Sequence, residues 1–119
     1  MALTPSSMTE LESVAHDFSL PDPTGKLWSL ADFANKEALL VMFICNHCPY
    51  VRHLKSALAQ FARDYADRSL GIIAINANDA KLYPQDSPQQ MANDSQEFNY
   101  SFPYVFDEKQ DTARAYQAA

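Results

Sequence analysis

Cysteine is scarce in this chain: two among 119 residues, Cys45 and Cys48. They are separated by only two residues, so a bridge between them would restrain little chain entropy, and stability is a poor reason to keep it. Basic residues are also few, nine Lys and Arg against fifteen Asp and Glu, for a formal net charge of −6. No Lys/Arg run offers the footprint that phosphate needs, which argues against nucleic acid or an anionic membrane as partner. Long apolar runs are missing too. The longest, Ala38 to Cys45, is far too short to span a bilayer. The first ten residues, Met1 to Glu10, hold neither a basic segment nor an apolar one, so they do not read as a secretory signal. A cytoplasmic protein is the expectation, and there structural disulfides are rare.

What is present is ordinary globular composition, with 47% hydrophobic and 20% charged residues. The length fits one domain with a modest core. No internal repeat or low-complexity tract interrupts it. Residues 1–14 read as an N-terminal arm and 15–119 as the folded domain.

From Asp17 the text becomes specific. Phe18 and Leu20 alternate with polar residues, Pro21 to Gly25 carry turn chemistry, and Leu27-Trp28-Ser29 can return as a hairpin partner. Ser29 is positioned to cap a short helix containing Leu30 and Phe33. Ala38 to Ile44 is a continuous apolar run of strand length, the kind buried on both faces of a parallel sheet. Beyond Pro49, Val51, Leu54, Leu58, Phe61 and Tyr65 fall at spacings of 3, 4, 3 and 4, predicting a core-facing helical stripe. Arg52, Lys55, Gln60, Arg63 and Asp64 are then expected to face water.

A second buried strand is expected over 70–76, and a loop from Asn78 to Asp86 in which Asn76 and Asn78 serve as turn and cap residues. Ser87-Pro88 opens a helix carrying Met91, Ser95 and Phe98 on one face. Phe102 to Phe106 reads as a third strand, and the chain turns helical again after Asp107 with Ala113 and Tyr116 inward. Strand, helix, strand, helix, strand, helix implies right-handed crossovers and a parallel sheet.

Cys45 sits just past the first buried strand, and a helix opens within a few residues. Sites in open α/β sheets gather at the carboxyl ends of strands. A helix N-terminus adds unpaired N–H groups and a positive dipole end, which favour an anion, here a thiolate. Cysteines so placed have depressed pKa values and are the nucleophiles of disulfide exchange. Cys45, expected to be the more exposed, would attack; Cys48, about one helical turn inward, would resolve. Asn46 and His47 lie between them, and a protonated His47 would favour the thiolate further. Pro49 suits the first helical turn, where its missing N–H is dispensable.

Other readings of the pair remain. Two small buried side chains or half of a zinc site would leave the same residues, although zinc normally takes four ligands and no second Cys-x-x-Cys exists. A copper-carrying module would need a further soft ligand. A domain that only docks to a partner would need no reactive thiol.

The segments Phe18–Asp22, Gly25–Leu30 and Val41-Met42-Phe43-Ile44-Cys45-Asn46-His47-Cys48-Pro49-Tyr50-Val51 resemble the redoxin branch of the thioredoxin superfamily. That branch includes the alkyl hydroperoxide reductase/thiol-specific antioxidant group. The likeness extends to Ile75–Asp79, Tyr83–Asp86 and Phe102–Glu108, and is strongest toward small bacterial thiol–disulfide isomerase-like proteins with a Cys-Asn-His-Cys-Pro-Tyr-Val segment. The resemblance implies a thioredoxin-like three-layer α/β/α fold with an N-terminal β-hairpin extension. It implies thiol–disulfide oxidoreductase activity without a cofactor, on protein disulfides and with a thiol reductant. Relatives continue past a helix like Thr112–Tyr116 into a cis-proline loop, two further strands and a final helix. The expected fold here lacks those elements. Peroxiredoxins place Thr-x-x-Cys before the helix, so the alternative implied by the resemblance is a thiol peroxidase in which Cys48 meets a hydroperoxide and Cys45 occupies the threonine position.

Overall fold

The computed structural model describes residues 10–11, 14–46, 49–78 and 81–118, apart from the side chains of residues 49–53. His47, Cys48 and most of the N-terminal arm lie outside the described residues, as do the side chains of Pro49, Val51 and Arg52.

The hairpin forms where the turn residues place it. Strand β1 (Ser19–Pro21) pairs antiparallel with β2 (Leu27–Ser29), setting Leu20 opposite Trp28. Its connection is organised by Asp22. Oδ1 accepts from the backbone N–H groups of Thr24 (2.9 Å) and Lys26 (3.1 Å) and from the Thr24 hydroxyl, while Oδ2 accepts from the Trp28 indole at 3.1 Å. Gly25 takes φ +91°, a conformation a side chain would strain. A 3₁₀ turn (Leu30–Phe33) follows, and the Asp32 carboxylate accepts from the Ser29 N–H at 2.7 Å.

The main sheet has three parallel strands in the order β3 (Ala38–Phe43), β4 (Leu70–Asn76), β5 (Tyr104–Phe106). Ala38 stands opposite Leu70 and Phe43 opposite Ile75; Ala74 stands opposite Tyr104 and Asn76 opposite Phe106. Helix α1 (Pro49–Asp64) connects β3 to β4, α2 (Pro88–Glu97) connects β4 to β5, and α3 (Asp111–Ala115) closes the chain. Ser87 caps α2 by accepting from the Gln90 N–H, as its Ser-Pro opening predicts.

Alternation along β4 divides the core into two layers. Ile72 and Ala74 face Ala62 of α1, Met91 of α2, Phe102 and Tyr104. Ile73 and Ile75 face Phe18, Leu20 and Val105, with Trp28 and Phe33 packed around them. Burying each of these isoleucines contributes about 1.5–3 kcal/mol. The result is a thioredoxin-like α/β domain.

Two expectations fail, each for its own reason. β3 is half-buried rather than buried on both faces, because it is the outer strand and no described strand pairs with its second edge. The helical stripe is likewise displaced. Leu54 is 52% exposed, Phe61 and Tyr65 lie at the surface, and Leu58 is half-buried. The face of α1 that meets the sheet is Lys55, Ala59 and Ala62. Small side chains let the helix axis approach Ile72 and Ala74, so the larger apolar residues fall on its flank. Gln60, Arg63 and Asp64 face water as expected; Lys55 does not.

Gly71 has a packing reason to lack a side chain. A Cβ there would lie 2.7 Å from Phe33 Cδ1 and 3.3 Å from Leu39 Cδ1. Gly71→Ala should therefore destabilise the domain by about 1–3 kcal/mol in urea unfolding, and an unchanged midpoint would contradict this packing. A second expectation concerns Asp22. Its slight burial pulls the pKa upward, but the hydrogen bonds from Thr24, Trp28 and Lys26 outweigh that and hold it below its ordinary 3.8. A depressed carboxylate stabilises the fold above the unfolded-state value and loses that contribution as pH falls through the folded one. Asp22→Ala should cost about 1–2 kcal/mol at neutral pH and progressively less in acid, read by fluorescence of Trp28, the chain's single tryptophan.

Candidate redox site

The end of β3 is carried one residue further by the Ile44 N–H, which donates to the Ile75 carbonyl at 3.0 Å. The backbone then turns at Cys45 and Asn46, ahead of α1, which opens at Pro49. The turn therefore lies at the carboxyl ends of β3 and β4, where open α/β sheets gather their chemistry. Cys45 is 9% exposed, less than expected of an attacking thiol.

Asn46 is buried and bonded through its backbone and both side-chain heads. Its N–H, which belongs to the peptide bond joining it to Cys45, donates to Asp86 Oδ1 at 2.5 Å. Its carbonyl accepts from Lys55 Nζ at 2.8 Å. Its side-chain amide donates to the Gln85 carbonyl at 2.6 Å, and its Oδ1 accepts from the Tyr104 hydroxyl at 2.8 Å. Three elements thus converge on one residue: the 3₁₀ turn Pro84–Asp86, α1 and β5.

Those partners are fixed in turn. Asp86 is fully buried, and its two oxygens also accept from Asn76 Nδ2 and Asn78 Nδ2, each at 3.0 Å. Asn76 Nδ2 further donates to the Tyr104 hydroxyl at 3.3 Å, and Asn76 Oδ1 accepts from the Asn78 N–H at 3.0 Å. Lys55, 6% exposed, forms an ion pair with Asp94 of α2. Burial, aided by the nearby Asp86 carboxylate and opposed by the Asn76 hydrogen bond, drives the Tyr104 phenol far above its ordinary pKa of 10.0, so it remains a donor.

The sequence reading placed Asn46 among residues that tune the thiolate or form the helix N-terminus; in the structure it anchors the turn. Asn76 and Asn78 are more than turn and cap residues, since they hold the Asp86 carboxylate. The span read as a loop from Asn78 to Asp86 ends in a 3₁₀ turn whose last residue is buried. From the sequence, Lys55 reads as a water-facing residue, and Asp86 and Tyr104 carry no site role within their matching segments. The available signal was weak: an acid wedged between Pro84 and Pro88, and a lysine one position from an apolar stripe. Pro49 stands at the start of α1 as expected, while His47 and Cys48 are outside the described residues.

A groove of about 520 Å³, bounded by Trp28, Tyr100, Phe102 and Pro103, contains neither Cys45 nor Asn46. No helix among the described residues is long and apolar enough to cross a membrane.

The model of the AhpC/TSA family matches residues 11–119. The chain belongs to that family. Two solved structures are similar to this AhpC/TSA chain over nearly all of its length. One is a hypothetical protein from Sinorhizobium meliloti, with 43% identity and a TM-score of 0.92, covering 93% of this chain and 61% of that one. The other is an uncharacterized conserved protein from Geobacillus kaustophilus, with 41% identity and a TM-score of 0.92, covering 99% and 65%. The chain thus spans about three-fifths to two-thirds of the length of these relatives. The thioredoxin domain of a thiol-disulfide oxidoreductase from Bacteroides vulgatus has a TM-score of 0.75 at 19% identity, covering 94% of this chain and 76% of that one; this likeness is one of fold. No curated protein matches the chain.

Tyr104→Phe leaves the Asn46 amide oxygen without its buried donor. The variant should lose about 1–2 kcal/mol of stability. A spectrophotometric titration of the native protein should also show this tyrosine failing to ionise through the ordinary phenol range around pH 10; a full complement of normally titrating tyrosines would contradict the buried network.

Proposed function

We propose that the protein is a thiol–disulfide oxidoreductase acting through the Cys45/Cys48 dithiol. The observation that carries this reading is the position of the Cys-x-x-Cys motif, bridging the carboxyl end of β3 and the first residue of α1. A thiolate there meets the positive end of a sixteen-residue helix. Membership of the AhpC/TSA family and the thioredoxin-like fold support a thiol-based reaction.

The chemistry is an exchange of bonds between sulfurs. Cys45 thiolate attacks one sulfur of a substrate disulfide; that S–S bond breaks, and its other sulfur leaves as a thiolate and takes a proton. Cys48 thiolate then attacks Cys45 Sγ in the mixed disulfide, releasing the second substrate sulfur as a thiol and closing the Cys45–Cys48 disulfide. Two electrons have passed to the substrate, and an external thiol reductant returns them to the protein. Protein disulfides are the proposed substrates. The burial of Cys45 means that a substrate must approach the turn closely, and only a small part of the sulfur environment is open to it.

Cys45→Ser should abolish disulfide-reductase activity, and Cys48→Ser should accumulate a mixed disulfide with substrate, visible by non-reducing electrophoresis and mass spectrometry. The roles are reversed if Cys48→Ser captures nothing while Cys45→Ser does. Stopped-flow reaction with hydroperoxide separates the thiol-peroxidase alternative, which requires Cys48 to react faster than Cys45.

A further inference from the structure

Two buried charges of opposite sign hold the two ends of one residue at the site, and the exchange chemistry uses neither. The Asp86 carboxylate sits on the N–H of the Cys45–Asn46 peptide bond, and the Lys55 ammonium sits on the Asn46 carbonyl. Hydrogen bonding alone does not require charges here: neutral acceptors and donors would satisfy the same backbone groups. Desolvating a carboxylate and an ammonium costs several kcal/mol each unless specific bonds compensate. Those bonds are present, from Asn76 and Asn78 on one side and Asp94 on the other.

We propose that Asp86 and Lys55 are positioning residues that set the reactivity of Cys45 in opposite directions while clamping the turn that presents it. The inference rests on the exchange reading above and deepens it. Asp86 accepts from the N–H of the peptide that joins Cys45 to Asn46, and its charge opposes a second negative charge on the neighbouring sulfur, holding the thiolate population down. Lys55, on the far side of Asn46, favours that charge, and Asp94 partly cancels it through their ion pair. The titratable groups bonded around this turn include Asp86 from the 3₁₀ turn, Lys55 from α1, Asp94 from α2 and Tyr104 from β5. Tyr104, uncharged, contributes geometry rather than field. With one acid facing the peptide and one lysine shared with a second acid, the balance of these three charges leans against the thiolate. The reduced form is correspondingly less favoured, and the disulfide a weaker oxidant, than the helix N-terminus alone would make it.

The signature is the sign of the change. A residue that merely holds the loop should, on removal, let Cys45 drift toward the behaviour of an ordinary thiol whichever charge it bears. Charges that act on the sulfur should move it apart. The pKa of Cys45 can be measured from the pH dependence of its alkylation by iodoacetamide, with the modified residue identified by peptide mass mapping. Asp86→Asn and Asp94→Asn should each lower it by about one unit, and Lys55→Met should raise it by about one unit. Equilibration of Asp86→Asn with glutathione should shift toward the reduced dithiol by up to about tenfold. Should Lys55→Met fail to fold, the downward shift in Asp94→Asn carries the same test through the partner of that lysine. Shifts of one common direction in all variants, or no shift in any, would overturn the proposal. Alkylation needs no substrate, so loss of exchange activity in the wild-type protein would defeat the exchange reading while leaving this measurement intact.

Discussion

Everything at the candidate site depends on the saturation of Asn46. A turn between a strand and a helix carries backbone groups that neither element can pair, and in a buried position each unpaired group costs about 1–3 kcal/mol. Here the N–H goes to Asp86, the carbonyl to Lys55, and the side chain to Gln85 and Tyr104. A side chain with both a donor and an acceptor is needed for the last two bonds. Asparagine supplies both on a short stem. The turn is thereby fastened to three separate elements, and Cys45, its neighbour in the chain, inherits both its position and its burial.

The sheet explains why those elements meet. Alternation along β4 sends Ile72, Ala74 and Asn76 to the face covered by α1 and α2, and Asn76 is the last of them, at the strand's carboxyl end. The polar network begins where that apolar face stops. Tyr104 stands opposite Ala74 on β5 and reaches the same level with its hydroxyl. Close approach of α1 through Ala59 and Ala62 brings Lys55 to the turn one helical turn earlier on the same face. Packing in the apolar layer and geometry in the polar one are thus the same constraint. The opposite layer, built on Ile73 and Ile75, packs against the hairpin and anchors the N-terminal extension.

Most of the architecture was legible from residue order. Period-two alternation at Phe18 and Leu20, turn residues between Pro21 and Gly25, the Ser87-Pro88 opening and the apolar run over 70–76 each carry a local cause, and each forms the expected element. The errors share a cause that is not local. The stripe of Leu54, Leu58, Phe61 and Tyr65 has the right period for the face of α1 that meets the sheet, yet Ala59 and Ala62 occupy that face. Periodicity weights large apolar side chains, while the depth of a helix on a sheet is decided by how small its contact residues are. β3 reads as fully buried because its residues are apolar, but burial requires neighbours on both sides.

Chain order alone determined the motif, its place between strand and helix, and the parallel sheet that puts Cys45 just past a strand end, because these follow from short-range patterns. Tertiary structure alone decided what holds the turn at Asn46. Asp86 is forty residues from Asn46 and Tyr104 fifty-eight, and no spacing rule links such positions. They are joined because a buried turn must find partners for its backbone, and the crossovers of the sheet bring those partners within reach.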